Sequence, residues 1–185
     1  LPFFVKPANL GSSVGVKKVR TRAEFQSAVT EAFSYDRKVI FEKNIQGREI
    51  ECAVLGNDQP MASVPGEIIV HSDFYSYEAK YIDPDGASLQ IPAKIPKHIA
   101  RQVQLLAIKT FQVLECAGMG RVDFFLQKNG RLLVNEINTI PGFTKISMYP
   151  KLWEASGVPY AQLIDRLLQL AIERFEKEQR LKTSV

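Results

Sequence analysis

Charged and amide side chains interrupt two stretches that otherwise read as apolar strands. Arg121 and Asp123 flank Val122, and Glu136 and Asn138 flank Ile137. Side chains along a strand alternate faces. Arg121 and Asp123 therefore share one face, and Glu136 and Asn138 share one on a partner strand. Asp, Glu and Asn are hard oxygen donors suited to Mg²⁺, which keeps several waters and bridges to phosphates, so two or three protein ligands suffice. The alternative is a salt-bridged sheet surface with Arg121 paired to Glu136.

Other segments carry groups that suit a nucleotide. Gly11-Ser12-Ser13-Val14-Gly15 places glycines and hydroxyls between two strands, where backbone N–H groups can approach a phosphate. It is not a Walker motif, because no Gly-Lys-Ser/Thr follows and a strand comes next. The competing reading is an ordinary hairpin turn. Lys6 adds a cation to an otherwise apolar strand. Phe41-Glu42-Lys43-Asn44-Ile45 and Gly47-Arg48-Glu49 bring acids that can accept from an adenine amino group or a ribose. Tyr75 to Tyr81, with Lys80, suits a lid that excludes water from phosphates, or aromatics packed on the body. Asn138 to Thr144 turns through Pro141-Gly142, where backbone N–H groups can face a developing oxyanion.

The elements that must position these residues follow from pattern. Strands are expected at Phe3–Lys6, Lys38–Glu42, Glu49–Leu55, Met61–Val64, Val64–Val70, Arg121–Gln127 and Arg131–Asn138, with another after Gly15. Asn129-Gly130 is a hairpin signal. Thr21 with Glu24 reads as a capping box, opening a helix that buries Phe25, Ala28, Val29 and Ala32. A second helix runs from Pro96 to about Cys116, with Ile99, Val103, Leu106, Thr110 and Leu114 on one face, and Gly118 and Gly120 end it. A short helix near Tyr149–Ala155 and an amphipathic one over Val158–Glu178 close the chain. The stretch from His71 to Gln90 has no periodicity and reads as a functional loop. The class is α+β. The expected division is a partial nucleotide-binding subdomain over 1–72 and a metal-binding subdomain over 73–185, with a flexible loop at 73–90.

Composition sets the outer limits. The chain has 185 residues, 45% hydrophobic and 24% charged, a globular balance. No apolar run exceeds four residues, as at Leu105 to Ile108, whereas a membrane span needs roughly 20. No basic stretch followed by an apolar block appears at the start of the sequence, so a secretory signal is not expected. The net charge of +4 is spread and mixed with acids, which favours small anions over nucleic acid. Cys52 and Cys116 are not in metal-like spacing, and two lone thiols suit a reducing compartment. The chain opens inside a strand, so it is expected to be a piece of a longer protein.

The motifs in order carry more than each alone. Lys6-Pro7 through Gly11-Ser12-Ser13-Val14-Gly15, then Glu42-Lys43, Gly47-Arg48-Glu49, Tyr77-Glu78-Ala79-Lys80-Tyr81, Gly120-Arg121-Val122-Asp123, and Asn135-Glu136-Ile137-Asn138-Thr139-x-Pro141-Gly142 closely resemble the D-alanine–D-alanine ligases of the ATP-grasp superfamily. Ser147 to Trp153 and the helix beyond it fit as well.

The resemblance implies an ATP-grasp C-terminal part and an ATP-dependent ligation of two D-alanines through a D-alanyl phosphate, in a bacterial cytoplasm, for peptidoglycan precursors. By matched position, it assigns ATP phosphates to Lys6 and Lys80, the adenine amino group to Glu42, and the ribose to Glu49. Ile45 and Phe74 flank the adenine, and Lys43 joins the nucleotide-binding set. Asp123, Glu136 and Asn138 hold two Mg²⁺ or Mn²⁺, Glu136 bridging. Arg121 and the Gly142 N–H face the tetrahedral oxyanion. Ser12 and Tyr81 orient substrate and close the loop. Ser147 and the Met148 backbone take the second substrate's carboxylate. Partners are D-alanine, ATP and the missing N-terminal part of the same enzyme, in a homodimer when complete, without nucleic acid or membrane. The chain alone is expected to be inactive. The alternatives are another ATP-grasp carboxylate–amine ligase, a D-alanine–D-lactate-type ligase, or a non-catalytic module that kept the fold.

Overall fold

The computed structural model describes residues 1–11, 13–70 and 87–182. They form two compact units, one over Leu1–Gln46 and Val70–Ser88, the other over Gly47–Ile69 and Leu89–Val185.

In the first unit, β1 (Phe3–Pro7) lies between β2 (Lys17–Val19) and β3 (Val39–Lys43), antiparallel to both. Helix α1 (Arg22–Tyr35) packs on this sheet through Ala28 and Ala32. Its start is the expected cap with one adjustment. Thr21 Oγ1 accepts from Glu24 N, while Glu24 reaches back to the N–H of Arg20, at 2.7 Å, one residue ahead of the cap. Phe25 was expected inside but is 40% exposed. It stacks on Phe41 at 5.8 Å and meets Phe3 edge-on, so a surface aromatic cluster takes the place of burial. Asp36 follows the helix and binds the chain entering from β1, accepting from the backbone and side chain of Asn9.

The second unit is built on a sheet of order β7-β6-β4-β8-β9, with β5 paired to β4. These strands are β4 (Arg48–Gly56), β5 (Met61–Ala62), β6 (Gly66–Val70), β7 (Ala87–Gln90), β8 (Gly118–Leu126) and β9 (Leu132–Asn138). β7 occupies the end of the stretch expected to be irregular. From Met119 to the end of β8 half-buried and buried residues alternate, as a strand with one core face requires. The β8–β9 hairpin turns at Asn129-Gly130 as expected, with Gly130 at φ +82°.

Helix α2 (Lys97–Val113) buries Ile99, Val103, Ala107 and Phe111 against Ile50, Cys52, Val54, Val122 and Phe124. Its inner row therefore ends on Phe111, and Leu114 is 55% exposed. The helix stops before the expected glycines because Glu115 takes φ +52°, a left-handed conformation that breaks the helical ladder. Helices α3 (Met148–Ala155) and α4 (Tyr160–Gln179) complete the unit. Tyr149 and Trp153 are buried, and Tyr149 donates its hydroxyl to the Val54 carbonyl. Among the described residues, no helix is long and apolar enough to cross a membrane.

Candidate active site

The register of the second sheet gathers the polar residues. Asp123 on β8 lies opposite Glu51 on β4 and Glu136 on β9, and Arg121 lies opposite Ala53 and Asn138. Three carboxylates thus stand side by side on three neighbouring strands. Like charges directly opposite are destabilising, so a compensating cation is needed, and Arg121 supplies one.

Its guanidinium donates Nε to Asp123 Oδ1 and Nη2 to Asp123 Oδ2, both at 2.7 Å. This is the forked geometry of strong Arg–carboxylate pairs. Nε also lies 2.9 Å from Glu51 Oε2. Arg121 is thus paired to Asp123 and Glu51 rather than to Glu136. Burial opposes its charge, but the Asp123 hydrogen bonds and the charges of Glu51, Asp123 and Glu136 outweigh burial and raise its pKa further. Asn138 donates Nδ2 to Asp123 Oδ2 at 3.0 Å and approaches Glu136 Oε1 at 3.4 Å.

An irregularity sits at this level. Asp123 pairs with Glu136 but Phe124 pairs with Val134, so Asn135 is an extra residue in β9. A bulge of this kind re-aims side chains and is common next to active sites.

Among the described residues, no three His, Cys, Asp or Glu side chains are arranged to hold a metal. Asp123, Glu136 and Asn138 are two carboxylates and an amide, and half a turn of the Asn138 amide would present its oxygen in place of Nδ2. Glu51, Asp123, Glu136 and Arg121 together carry a net charge of −2, which attracts divalent cations. The residues present fit Mg²⁺ or Mn²⁺.

Beyond β9 the chain folds back on itself. Thr144 N donates to Ser147 Oγ at 3.0 Å, and the two hydroxyls are 2.8 Å apart. A Cβ on Gly142 would come within 3.1 Å of Ser147 Oγ, so the loop approaches this hydroxyl closely, as glycine permits. Ser147 precedes α3 without capping it, and Met148, the first helical residue, is buried.

In the first unit, Lys6 and Glu42 form an ion pair at 2.6 Å across β1 and β3. Lys43 ends β3 exposed, and Ile45 is half-buried in the segment after it. Glu49 lies half-buried at the start of β4, in the second unit. Ser12, Phe74, Lys80 and Tyr81 lie outside the described residues. Arg121, Asp123, Glu136 and Asn138 are together, and Gly142 and Ser147 are together.

Two buried acids escape the sequence reading. Glu51 and Glu67 are 5% and 6% exposed. Glu67 receives a forked pair from Arg48, both bonds at 2.6 Å, which raises the Arg48 pKa. Glu51 had a signal: it shares strand parity with Glu49, the same alternation that singled out Arg121 and Asp123.

Comparison with known proteins extends the picture. The family model described as D-ala D-ala ligase C-terminus matches residues 1–169. A D-alanine–D-alanine ligase from Shouchella clausii is 61% identical over 185 residues, covering 100% of this chain and 50% of that protein. D-alanine–D-alanine ligase A from Salmonella typhimurium is 56% identical, covering 100% of this chain and 51% of that protein. The structure of the ligase from Coxiella burnetii superposes with a TM-score of 0.86 at 49% identity, over 96% of this chain and 47% of that one. The VanG D-Ala:D-Ser ligase of Enterococcus faecalis gives 0.84 at 38% identity, over 92% of this chain and 49% of that one. The chain spans about half the length of the curated relatives it matches. With the α+β architecture above and these matches along its length, the chain belongs to the D-alanine–D-alanine ligase family and is a C-terminal portion of its ATP-grasp fold.

Proposed function

We propose that this chain is the C-terminal half of an ATP-dependent, ADP-forming ligase that joins two D-alanines for peptidoglycan precursors in the cytoplasm. A carboxylate oxygen of the first D-alanine attacks the γ-phosphorus of ATP, the bond from that phosphorus to the β–γ bridging oxygen breaks, and ADP leaves as the acyl phosphate forms. The amine of the second D-alanine attacks that carbonyl carbon. The tetrahedral intermediate expels phosphate and leaves the dipeptide. The observation that carries the reading is the cluster of Arg121 with Asp123, Glu136 and Asn138 on paired strands, its carboxylates suited to divalent cations.

Asp123, Glu136 and Asn138 would hold two Mg²⁺ or Mn²⁺ ions, which would supply charge neutralisation on the phosphates. Arg121 is a permanent cation on a rigid strand, and a fixed donor of this kind stabilises charge that develops on a carbonyl oxygen. The Gly142 N–H is assigned to the same oxygen. Ser147 and the Met148 N–H, at the positive end of α3, take the second substrate's carboxylate. Lys6 and Lys80 are assigned to ATP phosphates, Glu42 to the adenine amino group and Glu49 to the ribose. Lys43, Ile45 and Phe74 serve nucleotide binding, and Ser12 and Tyr81 order the loop over the substrate. The complete enzyme, with its N-terminal part, is read as a homodimer.

The test is a coupled phosphate-release assay on the full-length protein with ATP and Mg²⁺. D-Alanine alone should drive turnover, and D-lactate or D-serine as second substrate should be poorer. Preference for D-lactate or D-serine would replace the dipeptide assignment. The 185-residue chain alone should be inactive, and normal turnover by it would contradict the half-enzyme reading.

A further inference from the structure

The fork between Arg121 and Asp123 poses a problem for the proposed site. Both Asp123 oxygens accept from the guanidinium, and Asn138 adds a third donor. A carboxylate held this way is a poor metal ligand until the guanidinium yields. A buried guanidinium cannot yield without another anion, because an unpaired buried charge is costly.

Glu51 is placed to be that anion. It lies directly opposite Asp123 on β4, it is 5% exposed, and its Oε2 is 2.9 Å from Arg121 Nε. The single Nε hydrogen goes to Asp123 Oδ1, so the contact between Glu51 and this nitrogen is ionic. Were the guanidinium to relax its hold on Asp123, that hydrogen could turn to Glu51 with little movement. Glu51 also sits on the strand paired to β8 along its whole length, so the anchor is as rigid as the sheet.

We infer that Glu51 is a positioning residue: it holds Arg121 from the β4 side and thereby frees Asp123 for a divalent cation. This rests on the reading of Asp123 as a metal ligand. Without Glu51, Arg121 has Asp123 as its buried partner and competes with the cation for it. Outer partners of metal ligands commonly affect affinity by roughly 10–100-fold.

The test is a double-mutant cycle on full-length protein, reading Mn²⁺ binding in the presence of ADP by electron paramagnetic resonance. Glu51→Gln should weaken Mn²⁺ about tenfold. In an Arg121→Gln background the same change should weaken it less than about twofold, because the competing guanidinium is gone. Equal weakening in both backgrounds would mean that Glu51 acts on the cation through its own charge, and the inference falls. No weakening in either background also overturns it. If Glu51→Gln fails to fold, Glu51→Asp keeps the charge and withdraws it by one methylene, and the same dependence on Arg121 is expected. Wild-type protein that binds Mn²⁺ with ADP but does not turn over D-alanine would sink the ligase reading and leave the cycle intact.

Discussion

Among the described residues, the unit over Leu1–Gln46 and Val70–Ser88 has a core of four small side chains, Val5, Val19, Ala28 and Ala32, while Phe25, Phe33, Tyr35 and Phe41 are exposed. The unit over Gly47–Ile69 and Leu89–Val185 buries Phe111, Phe124, Tyr149 and Trp153 fully. Large aromatics contribute most of the transfer free energy of a core, so among the described residues the second unit has the heavier core. The charged cluster stands on that unit, where the proposed chemistry needs its groups held in place. The first unit presents Lys6 and Glu42 from a lighter frame.

The largest expected difference between the units is in stability. Phe111→Ala should remove about 3–5 kcal/mol by urea titration, followed through Trp153, the single tryptophan. Val5→Ala should cost about 1–2 kcal/mol, within the usual range for one substitution. Equal losses would break the contrast.

A second contrast lies within the second unit, between its two thiols. Burial pushes the Cys52 thiol up to about 12, a hydrogen bond with Ser63 acting the other way. Cys116 is half-buried and also raised by burial. The thiolate is the reacting form. At pH 8 an aromatic disulfide reagent should therefore modify Cys116 slowly and leave Cys52 untouched until urea unfolds the chain. Two prompt equivalents would contradict the packing around β4.

The smallest effect is in the lighter unit. The N–H groups of Lys38 and Asn9 hold the Asp36 carboxyl below its ordinary value of 3.8. Its stabilisation is therefore present above 3.8 and is lost as pH falls through the lower folded value. Asp36→Asn should flatten that part of the acid limb and barely change the melting temperature at pH 7. Asp36 is only half-buried, so solvent screening limits what the shift contributes to stability.

Much of this was legible in the sequence because the signals are local. The alternation in β8, the Asn129-Gly130 turn and the Thr21 cap are each set within a few residues. The pairing of Arg121 with Asp123 and Glu51, rather than Glu136, was not legible, because it depends on which strand lies on the far side of β8. Phe111 replaced Thr110 in the inner row of α2 because packing against Val122 and Phe124 fixed the helix rotation, which propensity does not encode. The extra residue Asn135 was invisible for the same reason: a bulge is a property of two strands. Phe25 was misplaced because contacts with half-buried Phe3 and exposed Phe41 satisfy the same side chain that periodicity assigns to a core.

The central claim is that the charged face of β8 and β9 is the metal and phosphate centre of a ligase. Glu136 tests it most directly, because it is exposed at the sheet edge and its replacement spares the core. In full-length protein, Glu136→Gln should lower Mg²⁺-dependent, D-alanine-dependent phosphate release by roughly a hundredfold or more, with an unchanged melting temperature. Turnover within about tenfold of wild type, a loss small enough for a residue that only supports a ligand, would contradict the claim.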